Sequence, residues 1–206
     1  MRHIANLGRR LARKFTILLD SVRGLDFEAA MLAEEAGLDP ELSHRSTPSG
    51  NRYLNAVLDT LSVSPRHGIL DLGCGKGSAM RLMGKYPFQR IAGIELSEKV
   101  ASIARRNFAR LGDPRYEVVC MDAAQFTDYH LYSHLYLYNP FPRFIMEMVL
   151  EKIAHSIKED GARLVIIYCN PVCHDTILKT GMFAQTGDYP AEWENRTFVY
   201  EQLSKC

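Results

Sequence analysis

The second half of the chain alternates short apolar runs with segments in which apolar residues recur at helical spacing. The apolar runs predict strands, and the intervening segments predict helices. The predicted strands cover residues 68–72, 90–95, 116–121, 131–138 and 163–168, and the predicted helices cover residues 78–85, 98–111 and 143–158. Because the strands are apolar along nearly their whole length, we expect a doubly wound, mostly parallel α/β sheet with helices on both faces.

The C-terminal tail departs from this alternation. Residues 182–187 and 197–202 have the pattern of two strands, and the segment between them carries a Tyr189-Pro190 turn rather than a long helix. This arrangement predicts a hairpin that closes the sheet.

The N-terminal part has a different organisation from the rest. The sequence predicts a helical segment and a lid loop over residues 1–64 and the main domain over residues 65–206. Within the first part, residues 25–38 and 54–61 have helical patterns, whereas residues 39–51 are dense in Pro, Ser, Gly and Asn and are typical of a loop.

The first 19 residues carry five basic side chains and no acid. Apolar residues recur at helical spacing over residues 4–22: Ile4, Leu7, Leu11, Phe15, Leu18 and Val22. We expect a helix that packs this stripe on the domain and turns its basic face to water. The alternatives are a helix that binds an anionic membrane surface or nucleic acid, and an organelle transit peptide.

Composition narrows the class of protein further. The net charge of +1 gives no whole-protein argument for nucleic-acid binding. The five cysteines are odd in number and scattered, so we expect a reducing, cytoplasmic location rather than a disulfide scaffold. No apolar run approaches the roughly 18 residues that a membrane span needs.

The most informative motif follows the first predicted strand and precedes a helix. Its glycines, Gly73, Gly75 and Gly77, permit a tight turn and the close approach of a ligand to the backbone. The third glycine comes two positions after the second, so the dinucleotide pattern G-x-G-x-x-G fails at Ser78. Asp71, directly before this turn, would repel a pyrophosphate but suits a ligand with an amino group, such as the methionine part of S-adenosylmethionine.

Two more residues of this turn are candidates for contact with that cofactor. Cys74 is a candidate because of its place in the turn, and we assign no chemistry to its thiol. Lys76 is either a partner of the cofactor carboxylate or the exposed first residue of a helix, and both interpretations remain open.

Acids also follow the next two strands. Glu95, with Leu96 beside it, ends the second predicted strand, where a carboxylate can accept both ribose hydroxyls. Asp122, with Ala123 beside it, follows the third strand and can accept a hydrogen bond from the adenine amino group. Together with Asp71, these acids predict one crevice at the edge of the sheet.

The segments DLGCGKG, GIELSEKVASIARRNF and VVCMDAAQF closely resemble the cofactor-binding motifs of class I S-adenosylmethionine-dependent methyltransferases. The resemblance covers roughly residues 67–205 and implies S-adenosyl-L-methionine as cofactor and a seven-stranded sheet with an antiparallel last strand. More narrowly, RGLDF, the Thr-Pro loop, GCGKG, GIELS and LYNPF look like a bacterial group distantly akin to the non-SET histone-lysine methyltransferases. That kinship does not imply a histone substrate.

Asn139-Pro140-Phe141 ends the fourth predicted strand, where amino-methyltransferases carry an Asn/Asp-Pro-Pro-Tyr/Phe motif. The Asn139 side-chain oxygen and the Pro140 carbonyl can accept hydrogen bonds from an amine, while Phe141 stacks on a planar acceptor or shields the cationic centre. Asn139 is a candidate for contact with the cofactor as well. A single proline stands where the motif has two, so selection of adenine or glutamine amides is not implied. A strand-ending turn is the alternative. In the enzymes that the chain resembles, the loop before the first strand folds over the cofactor, so Thr47 is a candidate cofactor contact from a lid. An ordinary loop is the alternative.

Other classes of function remain open beside transfer to a nitrogen of a protein, nucleic acid or small molecule. A nucleotide-dependent oxidoreductase would use the same crevice, although the glycine spacing and Asp71 disfavour it. A non-catalytic module would bind the cofactor without transferring its methyl group. Cys169, Cys173 and His174 lack a fourth ligand and the spacing of a zinc site, so we expect no metal.

Overall fold

Seven strands form one mixed sheet in the computed structural model, which describes residues 14–39, 46–156 and 163–204. In chain order the strands are β1 (Gly68–Leu72), β2 (Arg90–Glu95), β3 (Tyr116–Cys120), β4 (His134–Tyr138), β5 (Val165–Cys169), β6 (Phe183–Pro190) and β7 (Arg196–Gln202). Their order across the sheet is β3-β2-β1-β4-β5-β7-β6. Strands β1 to β5 are parallel, and β7 is antiparallel to both of its neighbours. The predicted seven-stranded sheet with an antiparallel last strand is therefore confirmed.

Helices cover both faces of this sheet, as the apolar strands require. They are α1 (Arg52–Leu58), α2 (Ser78–Met83), α3 (Glu98–Leu111), α4 (Arg143–Ser156) and α5 (His174–Lys179), with short 3-10 turns at Ala123–Gln125, Tyr129–Leu131 and Glu192–Glu194. Each face carries its own cluster of buried apolar side chains. The predicted fourth strand began too early, because residues 129–131 form a 3-10 turn before β4 starts at His134.

The strand order reverses direction at β1, since β2 lies on one side of it and β4 on the other. Open α/β sheets bind ligands outside the carboxyl ends of the strands at such a switch point. The glycine turn after β1 and the Asn-Pro turn after β4 therefore share one edge of the sheet.

The helix predicted over residues 25–38 is wrong. This segment runs without regular helix, pairs Met31 with Ser46 in an isolated antiparallel bridge, and turns at Gly37 with a φ of 75°. The Asp26 backbone instead bonds to the side chain of Asn107 on α3. These long-range contacts take the backbone groups that a helix would have used, and tertiary context overrides local propensity.

Residues 14–22 are helical, but their apolar stripe does not pack on the domain as predicted. Phe15, Leu18 and Val22 are 61%, 60% and 81% exposed. The polar Asp20 makes the attachment instead, because its buried carboxylate accepts two hydrogen bonds from Arg81 on α2, at 2.8 and 3.0 Å. The predicted positions Ile4, Leu7 and Leu11 lie outside the described residues, as do residues 40–45 of the lid loop. No helix in the described ranges has the length and apolar character that crossing a membrane requires.

Candidate functional site

A cavity of about 260 Å³ opens at the carboxyl edge of the sheet, over the ends of β1, β2 and β4. Its wall contains all of the predicted site residues except Asp71 and Gly77: Thr47, Gly73, Cys74, Gly75, Lys76, Glu95, Leu96, Asp122, Ala123, Asn139, Pro140 and Phe141. The structure thus brings together residues that are up to about ninety positions apart in the chain.

The glycine turn forms the centre of this wall. The backbone N–H groups of Gly73 and Cys74 both donate to the carbonyl of Ile94, at 2.9 Å, and so fasten the turn to the end of β2. Gly73 has a φ of 79°, and a Cβ added there would lie 2.7 Å from the Cβ of Pro140. Glycine adopts this conformation without strain, and its lack of a Cβ permits the close approach to the Asn-Pro turn.

Glu95 is buried at the end of β2, so it is not a solvent-facing acid. Its two carboxylate oxygens accept hydrogen bonds from the backbone N–H groups of Gly75, at 3.0 Å, and Ser97, at 2.9 Å. Burial raises the pKa of Glu95, and the backbone N–H groups partly oppose this. A carboxylate oxygen has two lone pairs, so each oxygen can still accept a ligand hydroxyl.

Asp71 lies beneath the cavity rather than on its wall and is only 2% exposed. It faces Tyr136 across the pairing of β1 with β4. Burial and the neighbouring Glu95 carboxylate both raise the pKa of Asp71 well above its ordinary value. Both effects favour the neutral acid, and a cation bound nearby would oppose them and favour the carboxylate. Gly77 likewise faces the rings of Phe108 and Phe27 instead of the cavity.

Lys76 lines the cavity but is not the exposed helix residue that was one of its predicted roles. Its side chain is 4% exposed, and its Nζ lies 2.6 Å from the Oδ2 of Asp26. Asn107 connects the same two residues, because its amide nitrogen donates to the carbonyls of Asp26, at 2.9 Å, and Lys76, at 3.2 Å. The N-terminal segment is thereby attached to the glycine turn.

Asp122 begins the 3-10 turn after β3. Its Oδ1 accepts a hydrogen bond from the backbone N–H of Ala124, at 2.9 Å. This contact fixes the carboxylate at the cavity wall and leaves lone pairs free to accept from a ligand amino group.

The Asn139-Pro140-Phe141 turn forms the opposite side of the cavity. Asn139 has a φ of 39°, a left-handed value that a residue with a side chain adopts at a cost. The hydroxyl of Tyr168 donates to Asn139 Oδ1 at 3.4 Å. Phe141 is 8% exposed and joins the apolar core below the site, so its ring shields the wall from water.

Sequence reasoning missed the contribution of the N-terminal segment to this cavity. Phe27, Ala29, Ala36 and Leu38 line it, and the Oγ of Ser97 donates to the Ala36 carbonyl at 2.5 Å. Residues 25–38 were interpreted as a helix, and no local signal indicates that this segment lines a cavity. The loop contribution predicted through Thr47 extends from Ser46 to Ser49.

Among the residues that the structure describes, no three or more His, Cys, Asp or Glu side chains form a cluster that could hold a metal ion. Cys169 and Cys173 are buried, and the Nδ1 of His174 lies 2.9 Å from the hydroxyl of Tyr200.

The sheet order, the glycine turn and the strand-end acids define the class of this fold, that of the class I S-adenosylmethionine-dependent methyltransferases. Residues 69–161 match a family described as the methyltransferase domain, and the chain therefore contains such a domain. Among solved structures, a SAM-dependent methyltransferase from Aquifex aeolicus aligns with a TM-score of 0.58 and 14% identity, over 73% of this chain and 89% of that one. An RNA methyltransferase from Salinibacter ruber, in complex with S-adenosyl-L-homocysteine, aligns with a TM-score of 0.53 and 15% identity, over 74% and 92% of the two chains.

Curated relatives match over shorter stretches. A 24-methylenesterol C-methyltransferase 2 from Oryza sativa subsp. japonica is 36% identical over 83 residues, which is 39% of this chain and 23% of that protein. A ribosomal RNA small subunit methyltransferase H from Crocosphaera subtropica is 34% identical over 80 residues, or 38% of this chain and 24% of that protein. The matches thus span about a quarter of the length of these two relatives.

Proposed function

We propose that this protein transfers a methyl group from S-adenosyl-L-methionine to a nitrogen atom of an acceptor. The observation that carries the proposal is the cavity in which Glu95 and Asp122 stand on one side and Asn139 on the other. The methyltransferase domain match over residues 69–161 supports it independently.

The residues of the cavity fit the chemistry of this cofactor. Glu95 would accept the ribose hydroxyls, and Asp122 would accept from the adenine amino group. The buried Asp71 carboxylate favours a cationic amino group above the glycine turn, and Lys76 can pair with a carboxylate at the same place. The cavity wall contains two acids, Glu95 and Asp122, beside the backbone of the glycine turn. Because these acids would repel a pyrophosphate, the wall suits S-adenosylmethionine better.

The bound cofactor supplies an electrophilic methyl group on a sulfonium. An acceptor nitrogen held there would donate its lone pair to that carbon, and the N–C bond would form as the C–S bond breaks, with the bonding electrons left on sulfur. The methylated nitrogen would then be cationic and would release one proton to water. The Asn139 side-chain oxygen and the Pro140 carbonyl accept hydrogen bonds from the amine and so aim its lone pair. Phe141 excludes water, and positioning supplies most of the rate.

Nitrogen is proposed as the acceptor atom because of Asn139. The names of the two curated relatives refer to a sterol carbon and to ribosomal RNA, so likeness to them does not select an acceptor for this chain. The kinship with the non-SET group remains a prediction.

The proposal is tested by calorimetry with S-adenosylhomocysteine. Glu95→Ala should weaken binding by about 10-fold or more, because it removes a charged hydrogen-bond acceptor from a buried site. Glu117→Ala is the matched control, since this strand residue is half exposed and pairs with Arg90 on the surface. Equal affinity in wild type and Glu95→Ala, or tight binding of NADH, would reject the cofactor assignment.

Transfer is tested with tritiated S-adenosylmethionine and a cell extract. Asn139→Ala should bind S-adenosylhomocysteine normally and transfer about 100-fold less label. Wild-type protein that binds the cofactor but labels no macromolecule or metabolite would identify a non-catalytic binding module instead.

The finer organisation is also proposed. We infer that residues 65–206 form the methyltransferase domain and that the preceding part of the chain supplies the lid, which the Asp26–Lys76 pair supports.

A cytoplasmic location is supported by the scattered cysteines, and cell fractionation tests it. Contact of the basic N-terminal segment with an anionic surface is supported by the exposed Phe15 and Val22, and sedimentation with phosphatidylserine vesicles tests it.

A further inference from the structure

We propose that Tyr168 is a positioning residue that orients the Asn139 side chain for methyl transfer. This inference rests on the proposed function of Asn139. It concerns a residue outside the cavity wall that acts on the acceptor only through Asn139.

Tyr168 is held in place by the neighbouring strand. It lies on β5 opposite Leu137 of β4, two positions before Asn139. Its ring is fully buried in the apolar cluster that also contains Phe141 and Cys173. A side chain packed in this way has little rotational freedom, so its hydroxyl is a fixed point beside the Asn-Pro turn.

The hydrogen bonds around this hydroxyl have a direction. The backbone N–H of Cys173 donates to the Tyr168 oxygen at 3.3 Å, and the Tyr168 hydroxyl donates to Asn139 Oδ1 at 3.4 Å. Burial raises the pKa of Tyr168, so the phenol stays protonated at neutral pH. The Cys173 side chain also forms a hydrogen bond with this hydroxyl, and Asn139 Oδ1 is the acceptor that the hydroxyl has on the Asn-Pro turn.

This direction determines which end of the Asn139 amide faces Tyr168. The oxygen is held there, and its second lone pair remains available for an acceptor N–H. Both distances are long for hydrogen bonds to a hydroxyl, as hydrogen bonds at catalytic sites often are before a ligand binds.

The backbone of Asn139 makes such a contact useful. Its left-handed conformation, at a φ of 39°, precedes Pro140, and the residue before a proline is restricted to extended conformations. A strained backbone conformation of this kind persists only where the surrounding structure holds it. Tyr168 supplies that partner from a different strand.

The first test compares Tyr168→Phe with Tyr200→Phe. Both tyrosines are fully buried, and the hydroxyl of Tyr200 contacts His174 rather than Asn139. Tyr168→Phe should lower the initial rate of label transfer from tritiated S-adenosylmethionine to a cell extract by about 10- to 100-fold. Affinity for S-adenosylhomocysteine should change less than about twofold in either variant. An equal loss of rate in both variants, or no loss in Tyr168→Phe, would overturn the inference.

The second test separates positioning from a general structural effect. In an Asn139→Ala background, Tyr168→Phe should cause no further loss, because the residue through which it acts is absent. A further loss of the same size would reject the inference. If Asn139→Ala alone transfers label at the wild-type rate, the proposed role of Asn139 fails, and the inference fails with it for that separate reason.

A readout without turnover completes the design. The side-chain amide signal of Asn139 is identified in a nitrogen-15 NMR spectrum by its loss in Asn139→Ala. Tyr168→Phe should shift this signal, and Tyr200→Phe should leave it in place. An unshifted signal in Tyr168→Phe would contradict the proposed contact even if transfer were slow.

Discussion

The Oε2 atom of Glu95 accepts a hydrogen bond from the backbone N–H of Gly75 at 3.0 Å, which joins the acid at the end of β2 to the turn after β1. The residue proposed to hold the ribose therefore also fixes the shape of the glycine turn. Ligand and protein compete for the same carboxylate only in part, because each oxygen has a further lone pair.

This double role predicts that Glu95→Ala destabilises the free protein as well as weakening ligand binding. The N–H groups of Gly75 and Ser97 would lose their acceptor in a buried site, which costs about 1–3 kcal/mol of unfolding free energy. Urea denaturation without ligand measures this cost. Glu117→Ala on the exposed end of the sheet should change stability by less than about 0.5 kcal/mol, and an equal effect of the two substitutions would contradict the prediction.

The contact between Gly73 and Pro140 predicts a second result. In Gly73→Ala the new Cβ would lie 2.7 Å from Pro140, and the φ of 79° would also be strained. We expect a loss of about 2–4 kcal/mol, with a fall in S-adenosylhomocysteine affinity as the turn shifts. Gly181→Ala has a similar φ of 67° but meets no atom within 4 Å, so it measures the conformational part alone, about 1 kcal/mol. Similar losses in the two variants would show that the contact does not matter.

A third prediction concerns the stability that the Asp26–Lys76 ion pair contributes. Asp26→Asn leaves the buried Lys76 ammonium without its charged partner, which lies 2.6 Å away in wild type. Because the Asp26 side chain is 35% exposed, the expected loss is moderated by solvent to about 1–2 kcal/mol. The matched control is Asp188→Asn, which breaks an ion pair with Arg196 whose side chains are 48% and 49% exposed. That change should stay within about 0.5 kcal/mol, and thermal melting distinguishes the two outcomes.

The sheet could be predicted from sequence because its signals are local. Buried parallel strands are apolar throughout, and helix α3 at Glu98–Leu111 was predicted with its observed bounds. The candidate acids could also be predicted, since a strand-end position places Glu95 and Asp122 at one edge whatever the details of packing.

The N-terminal part could not be predicted for the opposite reason. The Asp26 backbone bonds to Asn107, which is 81 positions away, and the Lys76 side chain meets Asp26 across 50 positions. Neither contact leaves a pattern in nearby residues. The same holds for Tyr168, whose role depends on the pairing of β4 with β5, which brings its hydroxyl to Asn139 from 29 positions away.

His134 predicts the pH dependence of stability. Its ring is buried at the start of β4, with the rings of His67 and Phe88 each 5.3 Å away, and its Nδ1 lies 2.9 Å from the hydroxyl oxygen of Ser133. Burial, and then the charge of His67, lower the pKa of His134 from 6.5 to about 4. The unfolded chain takes up this proton at a higher pH than the folded protein does.

The sign of the effect follows from that difference. The contribution of His134 to stability is fully present above pH 6.5 and is lost as the pH falls towards about 4. Its upper size is about 3 kcal/mol. Asp71 and Glu95 act in the opposite direction, because their raised pKa values favour the folded state at low pH.

Urea midpoints of wild type and His134→Phe, measured at pH 7.5 and at about pH 5, isolate the contribution of the histidine. We expect wild type to lose more stability than this variant between the two values, whereas a variant of the exposed His155, His155→Gln, should follow wild type. Equal changes in wild type and His134→Phe would mean that folding does not lower the pKa of His134.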